Sequence, residues 1–205
     1  MELELWKLTD ENARTFRSTQ WGPGVTHEGM GVGDLCGPGW IHAYVDPLLA
    51  LLLNPIHAAF QNPRLWRAEG RLPFRDDHGL KCGVFSLTTI EEVPLPVVTT
   101  EQRVRFGILC ATQVYTEPSW RTWADRWLSG ADRTIEEAEE TAKRSAALSA
   151  LTARSEKAER SAVAAIGAAV MEEPSASKAA ALAATWAAME LSGIDLIAIA
   201  REAVA

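Results

Sequence analysis

Apolar and polar positions alternate from Glu2 to Leu5 in the two-residue period of a half-buried strand, and Trp6 interrupts the alternation. Asp10-Glu11-Asn12 reads as a turn, so Ala13 to Gln20 is expected to return beside the first strand as a hairpin. Trp21-Gly22-Pro23-Gly24 calls for a tight turn, and Gly29 to Gly39 is too rich in glycine for anything but an irregular loop. Asp46-Pro47 then opens a helix, with Asp as N-cap and Pro at the first helical position. Leu48 to Leu53 is apolar on every side, which predicts a buried helix, and Asn54-Pro55 should end or kink it. Arg64 to Glu69 and Cys82 to Leu87 read as strands flanking a polar turn at Asp76-Asp77-His78-Gly79. Thr88 to Leu95 reads as a further strand whose proline suits an edge.

Beyond Thr99 the period changes to that of helices. Thr100 caps a helix to about Tyr115, Glu117-Pro118-Ser119 starts the next, and Gly130 ends it. Trp120, Trp123 and Trp127 fall at i, i+3 and i+7, a stripe expected to dock this helix on the N-terminal domain. Residues 133 to 171 carry a proline-free helical pattern supported by Glu139–Lys143, Glu140–Arg144 and Glu156–Arg160. Pro174 breaks it, Ser175 to Leu191 forms another helix, and Asp195 caps a last one from Leu196 to Val204.

Composition sharpens this division. Ten of the 14 glycines and eight of the 10 prolines precede Val98, whereas alanine supplies a third of residues 131 to 205. The expected class is α+β. A turn-rich domain with a small mixed β-sheet and one buried helix fills residues 1–98, helices 99–130 dock on it, and an alanine-rich helical region spans 131–205. Alanine favours helix but buries little area, so this last region is either a helical hairpin with a short third helix, the preferred arrangement, or an oligomerisation arm.

Charge and cysteine content narrow the function classes. A net charge of −7 disfavours a nucleic-acid binder, whose affinity comes from clustered Lys and Arg. Cys36, Cys82 and Cys110 form no close pair, so three reduced thiols are expected, with Cys82 and Cys110 buried. The opening MELELWKLTD is unlike a secretory leader, and no apolar run is long enough to span a bilayer, so no membrane partner is expected and the expected location is the cytoplasm of a bacterial host. His27, Cys36, His42 and His57 are spaced by 9, 6 and 15 residues, which fits no zinc template; no metal and no cofactor is expected.

The segments Gln20 to His27 (QWGPGVTH), Leu35 to Tyr44 (LCGPGWIHAY) and Asp46 to Ala50 (DPLLA) stand with Arg64-Leu65-Trp66, Ile90 to Pro96 and Thr99 to Phe106. Together they resemble a family of unknown function in phages and prophages, over roughly residues 3 to 130. The resemblance implies a phage or mobile-element origin. Taken with the acidic charge, the eight tryptophans and the lack of a recognised catalytic motif, it leads to the expectation of a non-enzymatic accessory protein that binds a host or phage protein, as in countering a bacterial defence.

The candidate constellation is Arg17, Gln20, Trp21, His42 and Tyr44, with Trp40 beside it, because nearby glycines let a backbone or a ligand approach closely. An Arg followed by Gly-x-x-His-x-Tyr, a helix and a later glutamate also resembles ADP-ribosyltransferase-like folds. That resemblance implies an alternative in which Arg17 or His42 binds NAD or another nucleotide, Tyr44 orients it, and Glu69, Glu91 or Glu92 stabilises the ribosyl transition state. The plainer reading gives His42 and Tyr44 bonds to loop backbone, and Trp21 and Trp40 a place in the core. A third reading, a virion structural component, follows if the alanine-rich helices form homo-oligomers. No phosphate loop, dinucleotide fingerprint, HExxH or nucleophile elbow occurs.

Overall fold

The structure is a computed structural model and describes residues 2–37, 39–149 and 155–205. The chain divides into two compact units, with the boundary between Val97 and Val98. The fold is α+β.

The first unit is built on strands β1 (Glu2–Thr9), β2 (Arg14–Thr15), β3 (Thr19–Gln20), β4 (Val25–Glu28) and β5 (Ile41–Ala43), helix α1 (Pro47–His57), and strands β6 (Arg64–Asp77) and β7 (Lys81–Val93). Five strands form one sheet in the order β1-β6-β7-β4, with β5 also paired to β7. Every described pairing is antiparallel, where a mixed sheet was expected. The partner of β1 is β6, in the register Leu5↔Ala68 and Lys7↔Trp66, and not the segment 13–20. That segment folds back on itself as the two-residue strands β2 and β3, because Asp10 Oδ1 accepts from Asn12 N and Arg14 N and draws the chain into a tight turn. Between them Arg17 and Ser18 take the left-handed conformation, which a strand cannot contain.

β6 and β7 are long and irregular, with register shifts at Arg67/Ala68 and Arg71/Phe74 that bend the sheet. The chain leaving β5 returns to β1, where Trp6 and Tyr44 exchange two backbone hydrogen bonds of 2.8 Å. The ring β1-β6-β7-β5 therefore closes on itself like a small barrel. Leu5, Trp21, Ala43, Ala68, Cys82, Val84 and Leu87 fill its core. The strand expected at 88–95 is the continuation of β7, and Pro94 stands just beyond its end. Helix α1 is capped as expected, Asp46 accepting from Leu48 N at 2.8 Å, but it runs through Pro55 to His57. Pro55 lies in its last turn, where few further helical bonds depend on it, and the Asn54 side chain closes the end by bonding both backbone groups of Phe60.

The second unit contains α2 (Thr100–Thr112), α3 (Pro118–Ser129), α4 (Ile135–Ser149), α5 (Glu156–Val170), α6 (Ser175–Glu190) and α7 (Leu196–Val204). Thr99 is the N-cap of α2, one residue earlier than expected, in a capping box with Gln102. The pattern over 133–171 is divided between α4 and α5, which pack against each other; it crosses residues 150–154, which lie outside the described residues. Lys143 pairs with Glu140 and Arg144 with Glu137, while Glu156–Arg160 forms as expected.

The tryptophan stripe has a different destination from the one its spacing suggested. Trp120, Trp123 and Trp127 are buried with Val104, Ile108 and Tyr115 and with alanines of α4, α5 and α6, inside the helical unit's own core. Helix α6 packs against α2 and α5 and buries alanines around most of its circumference. A Cβ on Gly107 of α2 would stand 2.9 Å from Ala180 Cα, so the small residues set a close helix crossing. The buried alanines of α5 and α6 thus face other helices of the unit.

Candidate functional site

The loop from Gly29 to Gly39 lies beside β7, between the two short strands that pair with it. Its glycines serve contacts within the protein. A Cβ at Gly39 would collide with the Val32 carbonyl and one at Gly29 with the Gly39 carbonyl, and Gly31 N donates to Gly39 O at 2.8 Å. Trp40 Nε1 and Arg75 Nη1 both donate to Gly33 O, at 3.1 and 2.7 Å. Leu35 and Trp40 lie over Gly83 of β7, where a Cβ would strike Leu35 and stand 3.0 Å from Trp40 Cβ. Gly83→Ala is therefore expected to lower stability by about 1–3 kcal/mol through overpacking, measured as a lower denaturant midpoint with an unchanged slope.

The residues singled out in the sequence occupy several separate settings. The His42 ring bonds to Leu35 O through Nε2. Burial holds its pKa below the usual imidazole value, and since a carbonyl only accepts, Nε2 carries the proton of a neutral ring. Tyr44 OH meets His57 Nδ1 at 3.2 Å, with the rings stacked 5.9 Å apart. Burial raises the phenol and lowers His57 to about 4, so the hydroxyl donates to a neutral imidazole. Trp21 is buried and donates from Nε1 to Thr15 Oγ1 at 2.9 Å, with the His27 ring edge-on to it. Gln20 holds the turn around it: its amide nitrogen donates to the carbonyls of Asn12, Ala13 and Trp21, and its oxygen accepts from Arg14 Nε.

The groups that a transferase would gather each have a local partner of their own. Arg17 is exposed in its left-handed turn, its guanidinium over the Phe16 ring at 5.3 Å. Glu91 pairs with Arg67 at 2.8 Å and Glu92 with Arg64, both as exposed cross-strand pairs, and Glu69 sits on β6 opposite Glu4. Among the described residues no group of three or more His, Cys, Asp or Glu is placed to hold a metal ion, and no helix is long and apolar enough to cross a membrane. Cys82 and Cys110 are buried and Cys36 is exposed.

Lys7 links the settings, and the residue-by-residue reading passed over it. Its Nζ donates 2.6 Å to His42 O and stands 4.9 Å from the centre of the Trp21 ring. It is almost wholly buried, and that burial pulls its pKa down to about 8. The signal was in the alternation: position 7 shares the inward face with Leu3 and Leu5. The arrangement holds two neutral imidazoles, an un-ionised phenol, a thiol pushed up to about 12 at Cys82 and the Lys7 amine, with the Lys81 ammonium near both imidazoles. These bonds hold the loop cluster together, and the exposed Cys36 thiol beside it accepts from Lys81 Nζ at 3.5 Å.

The exposed feature of this unit is apolar. Met30 (65%), Val32 (62%), Leu72 (50%) and Phe74 (37%) are open to solvent. A Cβ on Gly31 would stand 3.1 Å from Pro73 Cγ and 3.4 Å from Phe85 Cδ2, so the tip of the glycine loop lies against the β6–β7 hairpin and residues 30–32 come close to residue 73. Comparison of the chain with known protein families, with curated proteins and with solved structures finds no match.

Proposed function

We propose that this is a phage- or prophage-encoded accessory protein that acts by binding a host or phage protein, and that its contact surface is the apolar cluster of Met30, Val32, Leu72 and Phe74. The observation that carries the reading is the exposure of four large apolar side chains at the junction of a loop and a hairpin. An exposed apolar group of this kind marks interaction sites on single-chain proteins. The loop beneath them is fixed by the glycine contacts and by Arg75, so little ordering entropy would oppose association. The polar groups nearby are held by structural bonds, which favours binding over catalysis.

The test compares the wild-type chain with Met30→Asp/Phe74→Asp in affinity capture from a phage-infected bacterial host. Both side chains are exposed, so the double variant should keep its melting temperature within about 3 °C. One stoichiometric partner recovered with the wild type and depleted at least about tenfold with the variant supports the surface. Equal recovery with both sinks it.

A further inference from the structure

We propose that the cleft between α4 and α5 is a binding site for a small hydrophobic amine, separate from the apolar surface of the first unit. The cavity measures about 280 Å³, at the small end of ligand pockets, and Tyr115, Trp120, Ser145, Glu159, Val163 and Ile166 are among the residues that line it. Its inner wall is aromatic, Tyr115 and Trp120 meeting edge to face with ring centres 5.5 Å apart. Val163 is 65% exposed, so the cavity opens to solvent on the α5 side.

Two polar groups at this cavity lack counterparts among the described residues. Ser145 is 5% exposed and its hydroxyl is buried without a hydrogen-bond partner, although a helical serine can ordinarily satisfy itself on a carbonyl of the preceding turn. Glu159 is half-buried and makes no ion pair among the described residues. The neighbouring cations are committed elsewhere, Lys143 to Glu140, Arg144 to Glu137 and Arg160 to Glu156. An ammonium group is the ligand chemistry that answers both: it neutralises the Glu159 carboxylate and donates a hydrogen bond to Ser145 Oγ. The aromatic and aliphatic walls take an aryl or short alkyl body, and the ring faces favour a cation near them.

The test is a titration of the full chain with phenethylamine, followed by NMR shifts of the tryptophan indole protons, with 2-phenylethanol as the neutral ligand of matching shape. Phenethylamine is expected to bind at millimolar concentration and the alcohol about tenfold more weakly. Glu159→Gln should remove that difference, while Glu136→Gln, an exposed change on α4 outside the cavity, should not. Ser145→Ala separates ligand binding from misfolding, because deleting an orphan hydroxyl should raise the melting temperature while weakening the amine several-fold. Equal binding of amine and alcohol to the wild type, indifference to Glu159→Gln, or no binding up to roughly 10 mM overturns the proposal.

Discussion

Between pH 7 and pH 10.5 the wild-type protein is expected to gain about 3 kcal/mol of stability relative to Lys7→Met. The physical cause is the burial of an ammonium with one backbone carbonyl and one indole face as its compensation. Burial lowers the Lys7 pKa from 10.5 in the unfolded chain to about 8 in the fold. Below pH 8 both states hold the proton and the folded state carries the full desolvation cost. Between the two values the unfolded chain binds more protons than the folded one, so stability rises with pH, at about 1.4 kcal/mol per pH unit. Methionine does not titrate and keeps the length of the stem, so the variant lacks this slope. Cys82, the titratable group nearest in charge coupling, has the opposite sign: its thiol is raised to about 12, so the folded state holds more protons above pH 9. Lys7 is the smallest of the causes acting on that thiol, so most of the loss occurs in both proteins and drops out of the difference. Urea titrations of the two proteins across this range measure it. Parallel curves would mean that water reaches the Lys7 amine and the sheet does not close over it.

Replacing Trp120 by alanine is expected to cost about 4 kcal/mol, the largest loss of any single substitution considered. The indole is fully buried, sits against Tyr115 and Trp123 with ring centres 5.5 and 5.7 Å away, and donates to Ala162 O at 3.4 Å. Ala162 beside it on α5 is too short to swing into the void, so a large cavity is left behind. Trp186 provides the control. It is half-buried under the Arg160 guanidinium at 4.7 Å, and Trp186→Ala should cost about 1 kcal/mol or less. Denaturant midpoints followed by helical circular dichroism read both. Similar losses for the two variants would contradict the placement of the stripe in the core of the helical unit.

The features legible in the sequence are those settled within one turn of chain. Asp46-Pro47 starts α1, Glu117-Pro118 starts α3, Gly130 ends it at φ 77°, and Asp195 caps α7, each through bonds to residues at most four positions away. The His78-Gly79 turn likewise needs only its own left-handed backbone, at φ 53° and 76°. The switch from a turn-rich half to an alanine-rich half fixed the α+β class and placed the change of regime near Val98, because composition alone separates strand-and-turn chain from helix. The burial of Trp21 and Trp40, and the bond of His42 to loop backbone, follow the plainer reading of those residues, whereas the Tyr44 hydroxyl meets the His57 ring and not loop backbone.

Tertiary structure decided what a period cannot name, which is the partner. Alternation marked β1 as a strand, but its partner is β6, where Leu65, Trp66 and Ala68 are buried, and not the adjacent segment 13–20. The same limit hid the joining of 82–87 and 88–95 into one strand and the division of 133–171 into two helices. A helical stripe of indoles reports that one face is buried, yet carries no address, and the helices of residues 135–190 supplied the facing surface. Glycine near Trp40 and His42 signalled a close approach, and only the folded loop shows that the approaching groups are its own carbonyls. Lys7 combines both lessons: its phase in the strand pointed it inward, and closure of the sheet at Trp6 and Tyr44 left its charge without water.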